Sequence, residues 1–213
     1  MIRFYDIHTH RHPDSQDKMA IVAVDARNGV LPSDGHHSVG IHPAHADLDA
    51  LDIDTLTTMV NHPKVVAIGE TGLDKLALPP FHQQEEIFIH HIKLAEKERK
   101  PLIIHCVKAC QEMIAIRKRY KNDVPWIIHG FRGNSEYANQ FLHAGFYLSF
   151  GMHYHPESLQ AAWKAGRLFA ETDDEDISIE DVYQRITSHL SITGEALSQQ
   201  IRENIQAWPN PVS

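Results

Sequence analysis

The sequence predicts an α/β fold with a parallel sheet, in a chain long enough for a compact βα barrel. Eight short apolar runs are rich in β-branched residues, and most are continuous rather than alternating, as expected for strands buried on both faces. Helical patterns separate the later runs, so that strand and helix alternate along the chain. A length of 213 residues suits a single barrel, and we expect one domain over residues 1–213.

The expected elements follow in chain order. Strands are predicted at 2–7, 20–25, 38–42, 64–70, 101–106, 124–130, 145–151 and 166–173. Helices are predicted at 52–61, 83–100, 109–120, 134–144, 156–165, 178–191 and 194–206. Ser178, with Asp181 three positions later, resembles a capping box at the start of the sixth helix. Only twelve residues, with two glycines and a proline, join the second and third strands, so this crossover helix is expected to be reduced.

Composition limits the classes of function. The formal net charge is −8, which argues against electrostatic binding of nucleic acid over a broad surface. Bound divalent cations would nevertheless make the electrostatic potential positive within one pocket. No apolar stretch is long enough to span a membrane, and no secretion signal is expected at the N-terminus. Cys106 and Cys110 suggest no disulfide framework, so a cytoplasmic location is expected.

Metal-capable side chains stand at the ends of most predicted strands. In a barrel these ends converge on one face, where active sites are built. Histidine and carboxylate together suit zinc, manganese, iron or cobalt, and the set is larger than one tetrahedral site needs. A lone histidine at a strand end is more often a hydrogen-bonded rim residue, but a buried cluster without metal would leave many polar groups unsatisfied. The residues are His8, His10, His42, Glu70, His105, His129 and Asp173.

Seven motifs, in order along almost the whole chain, resemble those of the TatD-related metal-dependent hydrolases. They are DIHTH (6–10), GIHP (40–43), GETGLD (69–74), IIHC (103–106), IIHGFRG (127–133), YLSFG (147–151) and ETD (171–173). The resemblance implies a distorted (β/α)8 TIM barrel that binds two divalent ions. It places one ion on His8, His10 and Asp173, the second on His105 and His129, and Glu70 between them. Family members are described as DNases that hydrolyse phosphodiesters, and some related proteins cleave esters of tRNA.

The chain also departs from the family pattern. Val107 stands where the family usually has an arginine, so a phosphate anchor is expected to be missing. Arg132 or Lys75 is a candidate replacement. The segment DEDISIED (174–181) is acidic and short where the family commonly has a substrate-contacting loop. Both departures lower the expected affinity for a long nucleic acid strand.

The motifs suggest roles for particular residues. Asp173 is expected to orient a water held at the metal site and to accept its proton, with Glu70 completing the catalytic pair. His42 is expected beside the ligands or in contact with substrate, together with Arg132, Lys75 and His153. Asp74 and Thr172 are expected to support the ligands through hydrogen bonds. The histidines at 36, 37, 90, 91 and 143 are interpreted as surface or packing residues.

Three functions remain open from the sequence. The first is a phosphodiesterase of DNase type with zinc, manganese or magnesium and a DNA or other phosphodiester substrate. The second is an esterase or amidase acting on a small or tRNA-linked substrate, which suits the net negative charge. The third is a metal-binding interaction protein without catalytic activity. Apolar surface left by the reduced crossover helix would favour a homodimer.

Overall fold

Eight parallel strands form one sheet in which every strand lies beside its neighbours in sequence. The computed structural model describes residues 2–13, 15, 18–46 and 50–210. The strands are β1 (Phe4–Thr9), β2 (Lys18–Asp25), β3 (His36–Gly40), β4 (Val65–Asp74), β5 (Leu102–Val107), β6 (Trp126–Ile128), β7 (Tyr147–Phe150) and β8 (Leu168–Ala170). A parallel bridge between Thr9 and Asp173 joins the two ends of the sheet, which confirms the predicted distorted barrel.

Seven α-helices pack around this barrel within the described residues. They are α1 (Ala50–Val60), α2 (Phe81–Glu98), α3 (Cys110–Arg119), α4 (Ser135–His143), α5 (Pro156–Lys164), α6 (Ile179–Leu190) and α7 (Gly194–Gln206). Between β2 and β3 the chain forms only a 3-10 turn at Ala26–Asn28, so the reduced crossover is confirmed. The capping box of α6 is also present, with the Ser178 hydroxyl accepting from the Asp181 N–H at 3.1 Å. None of the described helices is long and apolar enough to cross a membrane.

Strand β4 extends four residues beyond the predicted end at Glu70, because its last residues pair with β5. Gly72 permits this close pairing, since a Cβ there would lie 2.0 Å from the carbonyl oxygen of His105. Strand β8 is shorter than predicted and ends at Ala170, three residues before Asp173. The longer β4 therefore places both Glu70 and Asp74 beside His105.

A buried histidine connects α2 to the end of β3. His91 is fully buried, its Nε2 accepts the Ile41 N–H at 3.0 Å, and its Nδ1–H donates to the Ile87 carbonyl at 2.8 Å. Burial, with a smaller contribution from the neighbouring His90, lowers the pKa of His91 to about 4. The sequence interpretation of His91 as a packing residue agrees with this position, and the neutral ring also fixes the backbone that leads into His42.

This histidine predicts a pH-dependent stability. Above pH 6.5 His91 is neutral in both states, but below it the unfolded chain binds a proton that the folded chain excludes. The free energy of unfolding should therefore fall by roughly 3 kcal/mol from this residue between about pH 6.5 and pH 4. Urea unfolding across this range should show a smaller pH dependence for His91→Gln than for the unmodified chain. His90→Gln, which changes an exposed neighbour on α2 and removes only the smaller contribution to the pKa of His91, should retain most of the dependence. Equal slopes for both variants would contradict the assignment.

Candidate metal centre

The carboxylate of Glu70 lies at the centre of a ring of histidines at the carboxyl ends of the strands. Its two oxygens face histidines contributed by four different loops or strands. The distances are 2.8 Å from Oε1 to His129 Nε2, 2.9 Å to His105 Nδ1 and 3.3 Å to His42 Nε2, and 3.6 Å from Oε2 to His8 Nε2 and 4.0 Å to His10 Nε2. The side chain of Glu70 is only 12% exposed, so these contacts replace water around its charge.

Asp173 provides a second carboxylate on the β1 side of this ring. Its Oδ1 lies 3.4 Å from His8 Nε2 and 3.6 Å from His10 Nε2. The backbone holds it there, because its N–H donates to the His8 carbonyl at 3.0 Å and its carbonyl accepts from the His10 N–H at 3.2 Å. The same bonds that join the ends of the barrel therefore position the Asp173 carboxylate.

The two carboxylates are strongly stabilised as anions. Burial alone would raise the pKa of Glu70, but contacts with His105, His129, His42 and His8 hold that pKa far below its usual range. Asp173 behaves in the same way, since contacts with His10 and His8 outweigh burial and lower its pKa. Both carboxylates are therefore negatively charged at neutral pH and can bind cations.

His8 and His129 show the opposite balance. Burial lowers the pKa of His8, and the charge of His129 lowers it further, but Asp173 and Glu70 outweigh both effects and raise it to about 9. The pKa of His129 is also raised by Glu171 and Glu70 against its burial. A cation bound in this ring would balance the negative charge of the carboxylates in place of the protons on His8 and His129.

Three triads of donor atoms in this ring are compact enough to hold an ion. Each triad has one atom per residue, and the atoms lie within 4.8 Å of one another. The triads are His8, His129 and Asp173; His8, His10 and Glu70; and His42, Glu70 and His105. All six residues expected to be ligands therefore belong to one cluster, and His42 joins it.

Comparison with known proteins identifies the family. Residues 16–208 match the model of the TatD related DNase family. The chain belongs to this family. The matched residues include Glu70, His105, His129 and Asp173 of the cluster, whereas His8 and His10 precede the first matched residue.

Curated TatD-type relatives are similar over part of the chain. The metal-dependent hydrolase YcfH of Escherichia coli K12 is 37% identical over 115 residues, which are 53% of this chain and 43% of YcfH. The metal-dependent hydrolase YabD of Bacillus subtilis is 34% identical over 155 residues, which are 71% of this chain and 60% of YabD. The matched regions thus span about half of the length of these relatives.

Solved structures show the same fold over the whole chain. The TatD homologue YjjV of Escherichia coli K12 superposes with a TM-score of 0.82 at 21% identity, covering 97% of this chain and 98% of that one. A TatD family hydrolase of Entamoeba histolytica gives a TM-score of 0.76 at 18% identity, covering 99% of both chains. The TatD barrel is therefore retained despite the reduced crossover.

The cluster fits the divalent ions that the TatD family implies. Both ring nitrogens of His8 are buried without a hydrogen-bond partner among the described residues. Its Nε2 faces Glu70 and Asp173 at 3.6 and 3.4 Å, beyond normal hydrogen-bond length. Burying a ring nitrogen without a partner costs free energy, unless a group such as a metal ion binds it. The mixture of imidazole and carboxylate donors suits zinc or manganese.

Three of the four expected substrate contacts lie outside the histidine ring, and His42 belongs to it. Lys75 Nζ pairs with Glu112 Oε1 at 2.5 Å, and Arg132 pairs with Glu175 at 3.3 Å. His153 has 66% of its side chain exposed and lies 3.7 Å from Glu175. Each of these side chains already faces a carboxylate, so substrate would compete with a neighbouring acid for it.

A further residue acts on the ligands. Glu171 is fully buried, and its Oε1 accepts the Gly130 N–H at 2.5 Å and lies 3.5 Å from His129 Nδ1. Thr172 was also expected to support the ligands, but its hydroxyl and N–H donate to the buried Asp6, which is not a member of the cluster. Glu171 is the first residue of the ETD motif, but the motif alone predicted no role for it. The available signal was an acid two residues before Asp173, within the apolar run predicted as a strand at 166–173.

Glu171 is expected to orient His129 for metal binding. In metal sites, a carboxylate on the second ring nitrogen fixes which nitrogen faces the ion, and its loss typically weakens binding by about 10- to 100-fold. We therefore expect Glu171→Gln to lower metal affinity by that factor in calorimetric titration with zinc or manganese. Glu180→Gln is the matched control, because Glu180 pairs with Lys18 outside the cluster. Unchanged affinity in Glu171→Gln would contradict this role.

Proposed function

We propose that this TatD family member is a divalent-metal-dependent hydrolase that cleaves phosphodiester bonds, as a deoxyribonuclease or a related phosphodiesterase. The observation that carries the proposal is the Glu70 carboxylate, buried among histidines with Asp173 beside them. The relatives YcfH and YabD are named metal-dependent hydrolases, and the matching family is named for DNases, which supports the same reaction class.

We assign two ions to the cluster, as zinc, manganese or magnesium. His8, His10 and Asp173 would hold one ion, His105 and His129 would hold the other, and Glu70 would contact both. His42 is a further candidate ligand because its Nε2 lies 3.3 Å from Glu70. When bound, such ions acidify water and polarise the bond to be cleaved.

The chain's own residues then supply positioning and proton transfer. Asp173 would orient the attacking water and accept its proton, since its low pKa keeps it ionised at neutral pH. Asp74 would steady His105, because its Oδ2 lies 3.3 Å from His105 Nε2. Arg132, Lys75, His42 and His153 would contact the substrate at the rim.

One cation favours a phosphodiester over a neutral substrate. Lys108 is exposed and lines the same cleft as His105, His129 and Asp173, and within the described part of the chain no carboxylate is paired with it. It follows Val107 directly, one residue after the position where the family usually has an arginine. Lys108 therefore supports a DNA or other phosphodiester substrate despite the net charge of −8.

The acidic segment after β8 favours a second candidate, an ester or amide hydrolase. Glu175 faces both Arg132 and His153, which reduces their attraction for a polyanion. A small or tRNA-linked ester would need fewer cationic contacts than a long nucleic acid strand. A cytoplasmic location and a homodimer also remain predictions.

A substrate panel tests the proposal. Purified protein of measured metal content would be assayed in magnesium, manganese and zinc against single-stranded DNA, a bis-aryl phosphate, a carboxylic ester and an amide. We expect phosphodiester cleavage, with kcat/KM about 10-fold lower in Lys108→Gln because a charged hydrogen bond to phosphate is lost. Lys118→Gln, which changes an exposed lysine in the last turn of α3, should match the unmodified chain. Cleavage of esters or amides alone would overturn the proposal.

A further inference from the structure

Two clefts of different character open on the candidate metal centre. One, of about 550 Å³, is lined by His10, His12, His42 and Glu70 together with the β2–β3 loop. The other, of about 890 Å³, is lined by His105, His129 and Asp173 and by the aromatic residues Phe131, Tyr137 and Phe141. A substrate bound at the cluster therefore meets polar groups on one side and an aromatic wall on the other.

Two members of the wall of the larger cleft, which we call the aromatic wall (Phe131, Tyr137 and Phe141), are packed into the hydrophobic core. Phe131 packs edge-on against Phe141, with ring centroids 6.0 Å apart, and against Phe150 at 5.8 Å. Phe131 and Phe141 are 5% and 3% exposed, so little of either ring is open to the cleft.

Tyr137 is the member of the wall that reaches solvent, with 45% exposure. Its backbone is held in the first turn of α4, because its N–H donates to the N-cap side chain of Asn134 at 3.1 Å. Gly133 lies close to both Phe131 and Tyr137, since a Cβ at 133 would lie 2.8 Å from the Phe131 ring and 3.3 Å from the Tyr137 Cβ. The structure thus keeps a large amphipathic ring exposed within the same cleft as His105, His129 and Asp173.

Starting from the proposed hydrolase function, we propose that the aromatic wall is a binding subsite for a planar aromatic group of the substrate, joined to the bond that is cleaved. The cleft volume lies in the range of ligand pockets, and exposed aromatic faces bind nucleobases and aryl groups by stacking. The occupant is the substrate rather than a protein partner, because the cleft is continuous with the residues that would perform the reaction. A nucleobase and the side chain of an aromatic aminoacyl ester share this chemistry.

Matched substrates separate the subsite from the reaction. One pair is an oligonucleotide with either a base or an abasic residue beside the cleaved phosphate. The other pair is a phenylalanyl ester and an alanyl ester. We expect Tyr137→Ala to raise KM for the ring-bearing member of at least one pair by about 5- to 100-fold, as stacking energies per base predict. The ringless members should be unaffected, and Tyr137→Phe should restore binding. The pair that responds identifies the source of the ring.

The control and a binding measurement make the result decisive. Leu78→Ala removes a side chain that is 99% exposed on the β4–α2 loop and does not line the cleft, so it should change neither pair. Calorimetric binding of the same substrates to Asp173→Asn, with and without Tyr137→Ala, measures the subsite without turnover. If the unmodified chain hydrolyses no substrate of the panel but still binds ring-bearing substrates through Tyr137, the subsite is retained and the hydrolase proposal is rejected. Equal losses for ring-bearing and ringless substrates, or no loss for either, would overturn the subsite.

Discussion

Glu70→Gln is expected to abolish stable binding of divalent ions and, with it, turnover. The carboxylate faces His129, His105 and His42 through one oxygen and the two histidines of β1 and its loop through the other. An amide keeps the shape but loses the charge and one acceptor oxygen. Changes in groups that merely support ligands weaken metal binding by about 10- to 100-fold, so losing the central ligand should exceed about 100-fold. Elemental analysis after dialysis, followed by calorimetric titration, measures this loss.

Glu112→Gln is the matched control for Glu70→Gln. Glu112 is a carboxylate in the same large cleft, but it pairs with Lys75 and lies outside the histidine ring. It should retain the metal content of the unmodified chain. If Glu70→Gln binds two ions as tightly as Glu112→Gln does, Glu70 is not the shared ligand.

Much of the barrel could be predicted from the sequence because its signals are local. A strand buried on both faces needs a continuous apolar run, and such runs mark all eight strands. The reduced crossover was visible because the residues from 26 to 37 are too few and too rich in turn formers for a helix. The capping box at Ser178 likewise depends on a residue only three positions away.

The details of the site depend on contacts that are distant in sequence. The continuation of β4 to Asp74 requires pairing with β5, which the run ending at Glu70 does not reveal. The pairing of Arg132 with Glu175 joins residues 43 positions apart, so sequence alone left Arg132 as a free phosphate contact. Glu171 escaped notice for the same reason, since His129 lies on another strand. Local patterns thus indicated which residues gather at the strand ends, while their partners required the structure.

Asp173→Asn is expected to keep most of the metal and lose most of the turnover. Proton transfer by a positioned group typically contributes about 10²- to 10⁴-fold to rate, so kcat should fall by that factor. The backbone of Asp173 has a φ of 54°, in the left-handed region, where asparagine is tolerated as well as aspartate. The amide also retains an oxygen that can face His8 and His10. The substitution therefore removes the base without adding backbone strain, and single-turnover rates at saturating substrate measure the effect.

Asp174→Asn separates this role from a general loss of negative charge. Asp174 is the adjacent residue, is exposed and carries the same charge, so its substitution should leave both kcat and metal content unchanged. Metal content also separates the two possible roles of Asp173 itself. A fall in kcat at full metal occupancy indicates the base, whereas a fall that follows metal loss and is reversed by added manganese indicates a ligand. Unchanged kcat in Asp173→Asn would mean that another group accepts the proton, and Asp74, beside His105, would then be the carboxylate to test.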